Sequence, residues 1–311
     1  MTLVLEGTGI APSAFEHPET RIPYTAVIMI LGRCAKLTLC PHLGLLLGSK
    51  ADHRDLGFAG QLMAHAPNLE TAFSTFAHVH ELNSRGASVY LHRSGEHWVF
   101  GYGIYEPRAE AHDQIYALVM AMAVNCVRSL TRGAVKPVEA LLPFRAPNDA
   151  KLYMALLGGS VRFGQPEAGI VLPRSALDAP VHGARQAEFK RLLAGVAAQM
   201  PVPEKVWSEH VKHAIRPLIL RGEPTTTNMA TVLGVNVRTL ARHLEREGTT
   251  FHALLESIRY SMARERLSIT DLTVGDIADA LDYAHQSSFT HAFGRWSGKT
   301  PSDWRSAARQ T

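Results

Sequence analysis

Cysteine is scarce in this 311-residue chain: Cys34, Cys40 and Cys126 are the whole complement, and none forms a Cys-x-x-Cys pair. That excludes a disulfide framework and the thiolate spacings of structural zinc sites. Cys34 and Cys40, six positions apart, fall on different faces if that stretch is one helix, so buried structural thiols are the simpler reading. Long hydrophobic runs are missing as well. The longest apolar stretch near the N-terminus, Ala26 to Leu31, falls short of the roughly 20 residues a membrane span needs. Glu6, with no early Lys or Arg, does not read as a secretory signal. A cytoplasmic protein with no membrane partner is expected. One-sided charge is also lacking, with 32 Lys and Arg against 28 Asp and Glu. Residues 201–311 hold 14 of the basic and 12 of the acidic residues, leaving 18 and 16 for the first 200. Any basic surface must therefore arise from arrangement on one face.

Catalytic signatures are equally thin. The chain has 16 histidines, but the nearest pair, His78-x-His80, would point apart on a helix. No His-Glu-x-x-His, Cys/His cluster or carboxylate-rich loop accompanies it, so no metal is expected. Gly101-Tyr102-Gly103 lacks the third glycine and the following helix of a dinucleotide site, and there is no Gly-x-Ser-x-Gly elbow. Neither a cofactor nor an enzymatic activity is expected.

What the sequence does contain is one helical pattern written twice near its end. The first copy spans Asn228 to Phe251 and the second Thr273 to Pro301. In the second, Val274, Ile277, Ala278 and Leu281 form one stripe, and Phe289, Ala292, Phe293 and Trp296 repeat the spacing after a short turn. The first copy has Met229, Ala230 and Leu233 before its turn, then Val237, Leu240, Ala241 and Leu244. Two short helices joined this way predict helix-turn-helix units at 227–246 and 274–297, which place a second helix in the DNA major groove. Removing the apolar stripes leaves Arg238, Thr239 and Arg242 on one such helix, and Gln286, Ser287, Thr290 and His291 on the other. Arginine pairs with guanine, glutamine with adenine, and hydroxyls with several bases. Ordinary solvated faces would look similar in one copy; two copies in matched register favour DNA reading.

These residues resemble the AraC/XylS family of transcriptional regulators, from about Pro203 to Arg309. The shared signature runs Leu233-Gly234, Arg238-Thr239-Leu240-x-Arg242-x-Leu244, Glu247-Gly248-Thr249-x-Phe251 and Arg259-x3-Ala263-x3-Leu267. It continues with Ile277-Ala278, Ser288-Phe289-x3-Phe293, Trp296-x-Gly298-x3-Ser302 and Trp304-Arg305. Leu281-Asp282-Tyr283 departs from the family's Leu-Gly-Phe. Asp tolerates the left-handed turn conformation, and Tyr can replace Phe if its hydroxyl finds a partner. The front of the chain is similar to the regulatory domain of one subgroup of that family, a non-cupin type labelled arabinose-binding whose members answer to varied effectors. Gly44-Leu45-x2-Gly48, Leu56-Gly57-x2-Gly60, Pro67-Asn68-Leu69-x2-Ala72-Phe73, Gly159-x-Val161-Arg162-Phe163 and Leu172-Pro173-x3-Leu177-Asp178-x-Pro180 carry that likeness. Being mostly Gly, Pro and Leu, they specify a fold and not a ligand.

Taken in order, residues 1–20 read as an extended arm, followed by helices near Pro23–Lys36, His42–Leu47, Leu56–Ala64 and one capped by Asn68. Ala87–Arg93 and His97–Tyr105 predict a hairpin, then a helix from Ala111 to Arg132. Val138–Phe144, Val161–Phe163 and Gly169–Leu172 predict further strands, with a helix at Asn148–Leu157. The expected fold is therefore an α+β regulatory domain, 1–200, ending in a linker helix at Ala184–Met200 with Phe189, Leu192, Leu193 and Val196 on one side. A break at Pro201-Val202-Pro203 precedes an all-α DNA-binding domain, 201–311, whose two motifs a continuous helix joins. Pro217 predicts a kink or an early helix end near Arg216. The family likeness implies a homodimeric activator acting at promoters with RNA polymerase and answering to an unidentified small effector. The strands Val89–Tyr105 and helix Ala111–Arg132 are the expected pocket walls. The rival reading is a small-molecule-binding protein or enzyme whose helical domain is an interaction module; a front half serving only for dimerisation is a third.

Overall fold

The computed structural model describes residues 2–17, 20–106, 112–199 and 206–308. The chain does not begin as an extended arm. It opens with a helical turn, α1 (Thr2–Leu5), and a 3₁₀ turn at Pro12–Phe15, because Leu5 is buried and Arg33 reaches back to donate to the Val4 carbonyl at 3.1 Å. Helices α2 (Tyr24–Leu37), α3 (Leu43–Gly48), α4 (Gly57–His65) and α5 (Leu69–Val79) follow. Asn68 caps α5 as its sequence predicts, accepting from the Thr71 amide at 2.9 Å.

Five strands form one mixed sheet in the order β1-β2-β5-β3-β4: β1 (Ala87–Ser94), β2 (His97–Ile104), β3 (Glu139–Leu141), β4 (Ser160–Arg162) and β5 (Ala168–Pro173). The β1–β2 hairpin keeps a continuous register from Ala87↔Ile104 to Ser94↔His97. β3 is antiparallel to β5 but parallel to β4, so α7 (Ala150–Leu157) makes the crossover that a parallel pair requires.

Helix α6 (His112–Leu130) runs through the first core, burying Ile115, Tyr116, Met120, Val124 and Val127, among others. Phe73 of α5 stacks on Phe100 of β2 at 4.1 Å between ring centres. The Gly44-x3-Gly48 spacing has a packing cause. A Cβ on either residue would fall about 2 Å from the Gln114 or Leu118 carbonyl oxygen of α6, so α3 meets that helix backbone to backbone. Asn125 then ties down the end of α3, donating to the carbonyls of Gly48, Ser49 and Ala51 at 2.9–3.3 Å.

Helix α8 (Gln186–Gln199) buries Leu192 and Val196 in the first core. Leu193 is 46% exposed and does not share that face. The expected break at Pro201-Val202-Pro203 lies outside the described residues.

The second core is helical: α9 (Trp207–Leu220), α10 (Thr226–Val232), α11 (Val237–Arg246), α12 (Phe251–Ile269), α13 (Val274–Ala280), α14 (Gln286–Ser297) and α15 (Pro301–Ala308). Of the kink or early end expected near Arg216, the early end does not occur: α9 continues through Pro217 to Leu220. Pro removes one helix donor, but Val211, Ile215, Leu218 and Ile219 are all buried, and their packing holds the last turn.

The two cores meet through α9, which lies on β1, and α12, which touches α6. Tyr105, just after β2, packs in the second core. Ile269 of α12 packs against the first core, and polar contacts complete the joint. His213 of α9 reaches the Ala77 carbonyl at 3.3 Å and stacks on His80 at 5.6 Å; His210 faces Glu81 at 3.3 Å. Arg145 pairs with Asp271 at 2.9 Å.

Candidate nucleic-acid interface

Each helix-turn-helix is assembled by local chemistry that can be followed residue by residue. Thr225 caps α10 by accepting from the Asn228 amide at 3.1 Å, and Asn236 caps α11 by accepting from Thr239 at 2.8 Å. In the second motif Thr273 and Asp276 form a reciprocal capping box at the start of α13. His285 is the N-cap of α14, without a side-chain cap bond.

The turns confirm the equivalence of the two copies. Gly234 has φ 66° in the first turn, and Asp282 has φ 61° at the same place in the second. Asp282 is held there by Arg259, which donates to its carbonyl and carboxylate oxygens, both at 3.1 Å. The same guanidinium lies 4.8 Å from the centre of the Tyr283 ring. Burial raises the Tyr283 hydroxyl pKa, keeping it neutral. The departure from Leu-Gly-Phe is therefore built around a single arginine.

The second motif packs as its periodicity predicts: Ile277, Ala278, Leu281, Phe289, Ala292 and Phe293 are all buried. In the first, Met229, Ala230, Leu240 and Leu244 are buried, but Ala241 is exposed and Val237 is 42% exposed. The apolar seam of α11 is narrower than the stripe suggested, because one turn of leucines suffices to seat a ten-residue helix.

The predicted reading residues lie on outward faces. Arg238, Arg242, Gln286, Ser287 and His291 are exposed, and Thr239 and Thr290 are half-buried. Thr290 also donates to the Gln286 carbonyl at 3.0 Å. Among the described residues, no ion pair engages Arg238 or Arg242, whereas Arg295 further along α14 is paired with Glu256 at 3.3 Å.

Further residues on these faces escaped the sequence pattern. Arg246 extends the Arg238–Arg242 row by another turn and is exposed. Val237 and Ala241 fit the apolar stripe, yet they stand beside the arginines, where apolar groups can meet a thymine methyl. Ser288 is also exposed, in the first turn of α14. Only their placement in three dimensions separates them from core positions.

Glu247 is withdrawn from this surface. Its carboxylate accepts from the Trp207 and Ser208 amides at 2.6 and 2.9 Å, capping α9 from outside. Partial burial opposes its charge, but the amide hydrogen bonds prevail and lower its pKa. Trp207 stacks on His243 at 4.5 Å, holding α9 against α11. Between the two motifs, α12 is continuous over 19 residues, which at 1.5 Å per residue spans about 28 Å.

Comparison with known proteins places this architecture. Residues 1–181 match the family model described as the arabinose-binding domain of AraC transcription regulator, N-terminal, and residues 229–307 match a helix-turn-helix domain. The HTH-type transcriptional regulator VirS of Mycobacterium tuberculosis is 30% identical over 311 residues, covering 94% of this chain and 87% of that protein. The ornithine utilization regulator of Pseudomonas aeruginosa is 24% identical over 317 residues, covering 98% and 90%. The crystal structure of the transcriptional regulator CdpR from Pseudomonas aeruginosa is 25% identical, covering 85% of this chain and 86% of that chain, with a TM-score of 0.42. No helix among the described residues is long and apolar enough to cross a membrane. With the front half matching the regulatory domain and the back half carrying two helix-turn-helix motifs, the chain belongs to the AraC family and is a DNA-binding transcriptional regulator.

Proposed function

We propose that this regulator reads a bipartite operator with the two exposed helix faces, α11 supplying Arg238, Thr239 and Arg242, and α14 supplying Gln286, Ser287, Thr290 and His291. The observation that carries this reading is the pair of exposed arginines on α11 with no ion-pair partner among the described residues. An arginine already satisfied by a carboxylate loses free energy on turning to DNA; these two do not have to. On this reading α11 prefers guanine, and α14, which presents amide, hydroxyl and imidazole groups, prefers adenine-containing steps. The amide groups at the starts of both helices orient phosphates. Residues 1–200 form the effector-responsive and dimerising domain and 201–311 the reading domain. The chain works in the cytoplasm as a homodimeric activator that presents a bound promoter to RNA polymerase.

Genomic fragment capture tests the reading. Full-length protein is mixed with sheared genomic DNA at near-physiological salt, beside the Arg242→Ala, His291→Ala double variant. A motif shared by the retained fragments and lost in the double variant is expected. Fragments of uniform sequence content, retained equally by both proteins, would remove these residues from the reading face.

A further inference from the structure

Helices of the second core end by a common device that α12 lacks. Within two residues of their last turn, α9, α10, α11, α13 and α14 reach Gly222, Gly234, Gly248, Asp282 and Gly298, each at φ between 61° and 72°. After the first four, the next amide turns back on a carbonyl of the last turn at 2.9–3.0 Å, so each helix satisfies some of its own open acceptors. Helix α12 has no such residue. Its C-cap, Thr270, is extended, with φ −117° and ψ 167°. Both the amide and the hydroxyl of Thr270 go to one acceptor, the Arg266 carbonyl, at 3.0 and 2.7 Å.

The missing donors come from the other core. Arg145 of the regulatory half gives its backbone amide to the Ile269 carbonyl at 3.1 Å. Its guanidinium reaches the Thr270 carbonyl at 3.1 Å and, in a longer contact, the Ser268 carbonyl at 3.5 Å. The same side chain pairs with Asp271 at 2.9 Å. Three consecutive carbonyls at the negative end of α12 are thus met by a single cation, 123–125 residues earlier in the chain.

Arg145 is itself fixed by the sheet, which it follows through Leu142 and Phe144. The Leu142 amide donates to the Arg162 carbonyl at 2.8 Å, and the Phe144 carbonyl accepts from Gly164 at 2.9 Å. The Phe144 ring is buried and packs on Tyr153 and Phe163, each at 5.9 Å between centres. Two further contacts grip the same stretch of α12. The Tyr116 hydroxyl of α6 donates to Glu265, and Arg266 donates to the Pro166 carbonyl. Helix α9 is also held by the regulatory half, since Arg216 passes beside Gly103 and donates to the Ile104 carbonyl at 3.1 Å. The end of α9, however, closes on its own Gly222.

We infer that Arg145 is a positioning residue for DNA reading, which closes α12 from the regulatory half and so fixes where the second helix-turn-helix begins. Only Thr270, Asp271 and Leu272 separate Ile269 from Thr273, the N-cap of α13. Movement in the last turn of α12 therefore carries directly into α13. The motif's other anchors on α12 are Glu256, Arg259 and Tyr260, which meet Arg295, Asp282 and Phe293 at least two turns before that end. The first motif needs no such help, because α10 and α11 close on their own glycines. The regulatory half thereby bears on one reading head more than on the other. For α14 as a reading head, the inference rests on the bipartite reading above; the closing of α12 stands on these contacts alone.

Arg145→Met keeps the half-buried stem and removes every guanidinium donor, while the amide bond to Ile269 persists. Hydrogen exchange of the full-length variant is expected to be about tenfold faster than in the wild type over residues 266–274, and unchanged over α9 and α11. Unchanged rates over 266–274, or acceleration spread equally over α9 and α11, overturn the closing of α12. DNA binding is then measured on the operator recovered by fragment capture, its half-sites assigned with Arg242→Ala and His291→Ala and substituted in turn. A loss of about tenfold in discrimination at the α14 half-site is expected for Arg145→Met, with the α11 half-site discriminated as in the wild type. Equal losses at both, as removal of a positive charge alone gives, or no loss at either, overturn the positioning role. A wild-type chain without a two-part preference refutes the bipartite reading, and exchange over 266–274 then decides whether Arg145 closes α12.

Discussion

At the scale of single residues, the most consequential side chains are the arginines, and their surroundings divide them into separate tasks. Arg242 is exposed without an ion-pair partner among the described residues, Arg259 braces a turn, and Arg216 is buried between the two halves. Replacing Arg242 with Ala is expected to cost about 1–3 kcal/mol of specific binding and to relax base preference at one operator position. Quantitative DNA binding with a substituted operator series checks this; an unchanged preference at every position would exclude a base contact. Asp282→Ala removes the Arg259 contact and places a poorly tolerated residue at positive φ. A loss of about 1–2 kcal/mol in denaturant unfolding is expected, whereas Asp282→Gly, which relieves the backbone, should cost less. Equal losses for the two would mean that the backbone conformation contributes little.

At the scale of elements, caps and seams decide whether the short helices hold their places. Helices of seven to twelve residues are marginal alone and depend on terminal bonds and one buried face. Asn236→Ala removes the acceptor that meets the Thr239 amide, and a loss of about 0.5–2 kcal/mol is expected. Amide hydrogen exchange should show the faster opening confined to the start of α11; an increase spread over both cores would refute a local role. Much of this scale was legible in the sequence. The Asn68 cap, the β1–β2 hairpin, the continuous α12 and both helix-turn-helix units follow from capping residues and apolar spacing. What misled was hydrophobicity taken as burial. Leu193, Val237 and Ala241 fit apolar stripes but face outward, because the neighbouring element covers fewer rows than the stripe contains. At Pro217 the sequence left a kink or an early end open, and tertiary packing excludes the early end by carrying α9 on to Leu220.

At the scale of the whole molecule, the polar joint makes stability depend on pH. His80 is fully buried, and burial, followed by the neighbouring His213, lowers its pKa to about 3; burial lowers that of His213 as well. Both rings are therefore neutral in the folded protein where an unfolded histidine, with a pKa of about 6.5, begins to charge. Their contribution is fully present above that value and is lost as pH falls below it, by up to about 1.4 kcal/mol per pH unit for each ring. Thermal unfolding between pH 7 and 5 should show this decline, and His80→Gln should make it shallower. Parallel profiles for the two proteins would mean that His80 does not carry the effect.

The local chemistry of this regulator is written in its sequence: the paired motifs, their caps and turns, the chemical character of the exposed faces of α11 and α14 and the α+β order of the front half. Each depends on residues close together in the chain, where spacing and side-chain type suffice. Only the folded chain shows that Arg216 passes beside Gly103 into the regulatory half, that Glu265 meets Tyr116, and that Glu247 caps α9. These contacts join residues as many as 149 positions apart. No local periodicity records them, because burial of a charge becomes favourable or costly only once the distant partner is in place.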